Sequence, residues 1–274
     1  MKHFILALSF FMFLAMPLLA EEKVSLTTED RWKIAALYQQ TTNGVSVILL
    51  HDLGGKKEDF KNFSNALAEN GYGYLAIDLR GHGASTNLNL QKNFKKTGTN
   101  NEFNQMVRDV NAAIAFLNNK GVKNENIFLL GAGLGANVAA KSLIFNTNIA
   151  GVLLLTPSLK TRDVLTMSGI KIFKKPVFIA VSSEDRKSFM EASFIRNAAY
   201  LSSGSGKVAF ITAYNLRGVP MLDKYLTPDV LQWLKTPQLP EVKPDAVDLT
   251  PPSTELAEPA PQDLLDTSLI PQLN

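Results

Sequence analysis

The sequence predicts an α/β fold, a three-layer sandwich whose central sheet is mostly parallel. Short apolar runs alternate along the chain with stretches of helical spacing. Those runs are continuous rather than alternately polar, as expected of strands covered by helices on both faces. In such a sheet, ligands gather beyond the carboxyl ends of the strands.

Taken in order, "KVSLTTEDRWKIAALYQQTTNGVSVILLHD" reads as two short outer strands, a turn at Asn43 and Gly44, and a buried strand from Val45 to Leu50. Glu58 to Asn70 has helical spacing through Phe60, Phe63, Leu67 and Ala68, and "GYGYLAID" supplies the next strand. "NEFNQMVRDVNAAIAFLNNKG" reads as one long amphipathic helix with Phe103, Met106, Val110, Ile114 and Leu117 inward, stopped by Gly121. There follow strand Ile127 to Leu130, helix Leu134 to Phe145, and strands Gly151 to Leu155 and Val177 to Val181. A helix within Lys187 to Leu201, strand Val208 to Thr212 and a last helix Met221 to Leu234 complete the set.

Both ends differ from this pattern. Residues 1–20 have a basic start at Lys2, an apolar run from Phe4 to Leu19 and a small closing Ala20, the pattern of a secretory signal peptide. A retained membrane anchor is the rival, and Pro17, Ala20 and the "EEK" that follows favour removal. The folded domain is expected over 21–235. Residues 236–274 hold eight of the thirteen prolines and seven acids against one base, the composition of an extended, disordered tail. The expected location is therefore outside the cytoplasm, periplasmic or extracellular.

Composition excludes several chemistries. The chain has no cysteine, so disulfides and thiol catalysis are absent; only His51 and His82 follow the leader and the carboxylates fall in no recognised ligand spacing, which argues against a zinc site. "GAGLGA" lies deep in the chain without an acidic follower, so it is no dinucleotide fingerprint, and no cofactor is expected. Outside its acidic end the chain is basic, with lysine pairs at 56–57, 95–96 and 174–175. These pairs lack interleaved aromatics, which argues against nucleic acid and leaves a solvated surface or an anionic membrane surface.

Five segments together resemble the alpha/beta hydrolase superfamily, in its serine-esterase, monoglyceride-lipase-like or dienelactone-hydrolase-like branches, over about residues 24–235. "VILLHDLGG" resembles the loop that supplies part of the oxyanion hole, and "GYGYLAIDLRGHGAS" a strand and loop leading from the active-site rim. "LLGAGLGANVAA" resembles the nucleophile elbow, "VFIAVSSEDR" the strand and turn of the triad acid, and "YNLRGVPMLDKYLTPDVLQWL" the histidine loop and last helix. The resemblance places the nucleophile at Gly133, the acid at Asp185, with Glu184 as the alternative register, and the base at Arg217. Glycine has no attacking atom, and a guanidinium stays charged near neutral pH. The triad positions are therefore expected to be vestigial.

The residues expected to bind a ligand are Leu53 and Leu134, through backbone amides, and Arg217. Gly131 and Gly135 suit either close strand-helix packing or an anion-binding turn. Asp52 stands beside the oxyanion loop, where an inward carboxylate would oppose developing negative charge and an outward one would not. Ser85, Thr156, Ser158, Ser182 and Ser183 lie near strand ends, and no motif places a base beside any of them. Arg217 is expected to turn inward onto Asp185, or else to point into solvent. The functional expectation is an exported noncatalytic protein that binds a small anionic ligand or a protein partner. The alternative is a carboxylic-ester hydrolase with divergent catalytic residues.

Overall fold

The computed structural model describes residues 20–237. The expected signal peptide, apart from Ala20, and the expected tail, apart from Thr236 and Pro237, lie outside the described residues. Ten strands and seven α-helices follow one another: β1 (Glu22–Thr27), β2 (Lys33–Gln39), β3 (Ser46–Leu50), α1 (Lys61–Glu69), β4 (Gly73–Ile77), α2 (Glu102–Gln105), α3 (Val107–Asn119), β5 (Ile127–Ala132) and α4 (Leu134–Ser142). The second half holds β6 (Gly151–Leu155), β7 (Lys160–Thr161), β8 (Val164–Leu165), α5 (Met167–Ile170), β9 (Val177–Ser182), α6 (Arg186–Ser203), β10 (Val208–Ala213) and α7 (Thr227–Lys235).

Eight strands form one sheet in the order β1-β2-β4-β3-β5-β6-β9-β10. The pairs β1 with β2 and β2 with β4 are antiparallel, and every other pair in the sheet is parallel. This is the expected three-layer architecture. Side chains of successive strand residues point to opposite faces, so each strand feeds two cores. Ile48, Leu50, Leu129, Leu154 and Ile179 pack on one face with Val110, Val138 and Ile195 from α3, α4 and α6. Val47, Leu49, Leu130, Leu153 and Phe178 pack on the other with Phe63 and Leu67 of α1 and Val230 and Trp233 of α7. Trp233 meets Phe128 and Phe178 edge-on, with centroids 5.7 and 5.6 Å away.

Several elements differ from expectation. The long helix breaks at Met106 into α2 and α3: Asn101 caps the start of α2 through Asn104 N, and at Met106 the amide turns to Phe103 O, three residues back, which interrupts the four-residue pattern. The last helix begins as a π turn, Leu222–Leu226, before Pro228 sits in the first turn of α7. The hairpin of β7 with β8 and the single turn of α5 are too short to leave a periodic signal in sequence. None of the described helices is long and apolar enough to cross a membrane.

Parallel register sets the site. Leu50 stands opposite Ile77 on one side and Gly131 on the other, so the residues after β3, β4 and β5 emerge at one level. Asp52, Asp78 and Gly133 therefore share one rim of the sheet.

Candidate functional site

β5 ends at Ala132 and α4 starts at Leu134, leaving one residue to reverse the chain. That residue, Gly133, has φ +50° and ψ −114°, a combination that side-chain-bearing residues adopt only with strain. Its neighbours are small for another reason. A Cβ at Gly135 would collide with the carbonyl oxygen of Leu50, and one at Gly131 with that of Gly135. Close strand-helix contact thus accounts for both flanking glycines. A Cβ at Gly133 would instead strike the carboxylate of Asp52.

Asp52 follows His51 at the end of β3 and turns inward over the elbow. Its Oδ1 accepts the Leu53 amide at 2.7 Å and the Leu134 amide at 2.7 Å. In acyl transfer, two such converging amides stabilise charge that develops only in the transition state. Here they hold the side chain of Asp52. The amide donors of Leu53 and Leu134 are thus engaged within the chain, and an external anion reaching them must displace Asp52.

Asp185 ends the turn after β9 and caps α6. Its Oδ1 accepts the Ser188 amide at 3.0 Å, and its Oδ2 accepts the Ser188 hydroxyl at 2.8 Å and Arg217 Nη1 at 2.5 Å. The Ser188 amide, then its hydroxyl and to a lesser degree the Arg217 charge hold this carboxyl below its ordinary range. The contact with Arg217 is single rather than bidentate, and the Arg217 side chain is 65% exposed. Its loop is nonetheless fixed beside the elbow, for the Gly218 amide donates to Thr156 Oγ1 at 3.0 Å. Thr156 itself has φ +50°, a strained value that the sequence did not signal.

Arg217 shares the lining of a cavity of about 360 Å³ with Asp52, Asp59, Asp223, Val219 and Pro220. The lining thus carries three acids and one arginine, whose guanidinium is bonded to Asp185. Asp59 and Asp223 went unremarked in the sequence because each sits in a helical stretch where an acid ordinarily meets solvent. Among the described residues, no three histidine or carboxylate side chains are grouped to hold a metal ion.

Neither histidine is placed as a base. His51 Nδ1 lies 2.7 Å from the Asp52 carbonyl while Nε2 accepts the Leu79 amide at 3.0 Å, the pattern of a neutral ring. Burial lowers its pKa to about 4. His82 Nδ1 lies 3.0 Å from the Arg80 carbonyl, its Nε2 is buried without a partner among the described residues, and burial lowers its pKa as well. The hydroxyls serve loops: Ser85 accepts the Ala35 amide at 2.8 Å, Ser158 bonds Asn137 and Thr161, and Ser182 accepts the Glu184 amide at 3.3 Å. Asp78, fully buried, accepts the Lys57 amide and ammonium, each at 2.7 Å, and the Ala84 amide at 2.8 Å. It ties the Asp52 loop to the His82 loop.

Comparison with known proteins bears on the family and the fold. A family model described as serine aminopeptidase, S33, matches residues 42–190. An esterase from Pyrococcus furiosus superposes with a TM-score of 0.65 at 19% identity, covering 79% of this chain and 92% of its own. An esterase from Exiguobacterium antarcticum gives 0.60 at 15%, covering 78% and 100%. The α/β hydrolase GrgF from Penicillium sp. sh18 gives 0.61 at 12%, covering 79% and 97%. At these identities the superpositions show a shared fold. No curated protein matches the sequence.

Proposed function

This chain belongs to the serine aminopeptidase S33 family, and we propose that within it the protein is an exported, noncatalytic member that binds a ligand or a protein partner. The observation that carries the reading is Asp52. Its carboxylate takes both amides of the oxyanion position and fills the space that a side chain at 133 needs. The bare Gly133, the guanidinium at 217 and the two occupied amides, all among the described residues of one rim, support the reading, since divergent catalysis needs a substitute for each. Of the two binding modes, a cavity lined by Asp52, Asp59 and Asp223 as well as Arg217 disfavours a small anion and so favours a protein partner at this rim. The leader-like residues 1–20 support export.

The test is turnover of short-chain nitrophenyl esters together with labelling by a fluorophosphonate serine-hydrolase probe, on purified protein. Neither activity is expected above a control protein. Ester turnover that disappears on Asp185→Ala or Asp52→Ala would overturn the reading and establish the ester hydrolase instead.

A further inference from the structure

A second cavity, of about 410 Å³, opens between the α2-α3 segment and the end of α4. It has no part in the rim described above. Asn104, Arg108 and Asn111 recur at three- and four-residue intervals and so share one face of their segment, while Lys141 and Phe145, four apart, face them. Three features distinguish it from an ordinary solvated groove. First, Lys141 is half-buried, and among the described residues its ammonium has an amide oxygen, Asn104 Oδ1, rather than a carboxylate as partner. Burial lowers the Lys141 pKa, the mark of an ammonium short of compensating charge. Second, Asn104 is itself pinned. It is 5% exposed, and its Nδ2 donates to Asn101 Oδ1 at 2.9 Å and Gly98 O at 3.2 Å, so its oxygen is held towards Lys141. Third, Phe145 is 68% exposed on the same lining, a large aromatic surface without a cover.

We propose that this cavity binds a small hydroxylated carboxylate, a sugar acid, whose carboxylate meets Lys141 and Arg108. The Gln105 carboxamide and the Asn111 Nδ2 offer donors and an acceptor suited to hydroxyls, while Asn104 is spent on holding Lys141, and Phe145 offers a face to the apolar side of a sugar ring. Arg108 is already joined to Glu29 at 2.9 Å and to Asp30 at 3.3 Å, which orients its guanidinium. Lys141 is therefore the charge left for the ligand, and Arg108 the positioned second donor.

D-glucuronate, D-glucose and inorganic phosphate, titrated into the full chain by calorimetry, test the proposal. Glucuronate should bind saturably, glucose should not, and Lys141→Gln should weaken glucuronate by about tenfold or more while Lys174→Gln, on the surface, leaves it unchanged. Because Lys141→Gln could lower stability, the Lys141 ammonium is also followed by NMR in the unaltered protein, where saturating glucuronate should raise its pKa. No saturable glucuronate binding, equal binding by wild type and Lys141→Gln, or an unmoved Lys141 pKa would each overturn the proposal. So would phosphate binding in place of glucuronate, which marks a bare anion hole. The rim takes no part in these readouts, so ester turnover and glucuronate binding fail or succeed independently.

Discussion

Two arginine-aspartate pairs, both joining loops beyond strand ends to another segment, have nearly the same chemistry and opposite settings. Arg80 is 1% exposed and Asp109 wholly buried, and they meet through Nε at 2.9 Å and Nη2 at 2.7 Å, while the Arg80 amide adds a third bond at 2.9 Å. Asp30 takes the other side of the guanidinium at 2.6 Å, and Trp32 lies beneath it at 5.4 Å. Arg217 and Asp185 meet through one bond, with the arginine mostly in water. The difference teaches that pairing alone says little: a buried charge leaves its partner uncompensated when removed, and an exposed one is resolvated. The first pair builds the loop after β4. The second decorates a rim.

The largest expected effect breaks the buried pair. Arg80→Met should destabilise the domain by about 3 to 5 kcal/mol, because Asp109 is left buried without its partner and must take up a proton or stay as an uncompensated charge, and replacing both residues with apolar ones should recover part of that loss. Urea unfolding of the three variants measures it.

Next is the pH response of the same loop region. His51 is held neutral, its pKa lowered by burial to about 4 from the ordinary 6.5. The unfolded chain therefore binds more protons between these values. The contribution is fully present above about pH 6.5 and is lost as pH falls through about 4, a change of order 3 kcal/mol. His82, shifted the same way, adds to the slope. Unfolding free energy followed from pH 7 to 4 should fall accordingly, and His51→Asn should flatten the curve; an unchanged slope in that variant would show that His51 is not its source.

At the rim, Gly133→Ser should cost about 2 to 3 kcal/mol, from a strained backbone and the clash with Asp52. In an Asp52→Gly background the clash disappears and only the backbone part remains. Equal costs in both backgrounds would mean that Asp52 swings aside freely, and the two regions would then differ less than the structure implies.

The smallest effect is at the exposed pair. A double-mutant cycle of Asp185→Asn with Arg217→Met should give a coupling within about 1 kcal/mol. A coupling near that of the buried pair would erase the contrast. On the proposed noncatalytic reading, none of these single changes should produce ester turnover, since nucleophile and base act as a unit.

Much of the fold was legible in the chain itself. Continuous apolar runs such as "SVILL" and "GVLLL" announce strands covered on both faces, and the helical spacing of Phe60, Phe63 and Leu67 announces the helix that covers one of them. Those patterns repeat over several residues, so burial on a sheet reads directly from them. The break at Met106 and the π turn before α7 were not legible, because caps and single turns depend on one or two local bonds.

At the site the division is sharper. Sequence alone determined that position 133 carries no side chain and that position 217 holds a permanent cation, since residue identity decides which atoms exist. Tertiary structure alone decided where Asp52 points. That choice rests on the Leu134 amide, 82 positions away in sequence and 2.7 Å away in space, and no local preference of the chain encodes it. The same holds for Lys141, whose half-burial against Asn104 arises only when α4 packs beside the α2-α3 segment. Residue identity sets the chemistry each position can offer, and packing between distant segments sets which charges lose their water and so which of that chemistry is expressed.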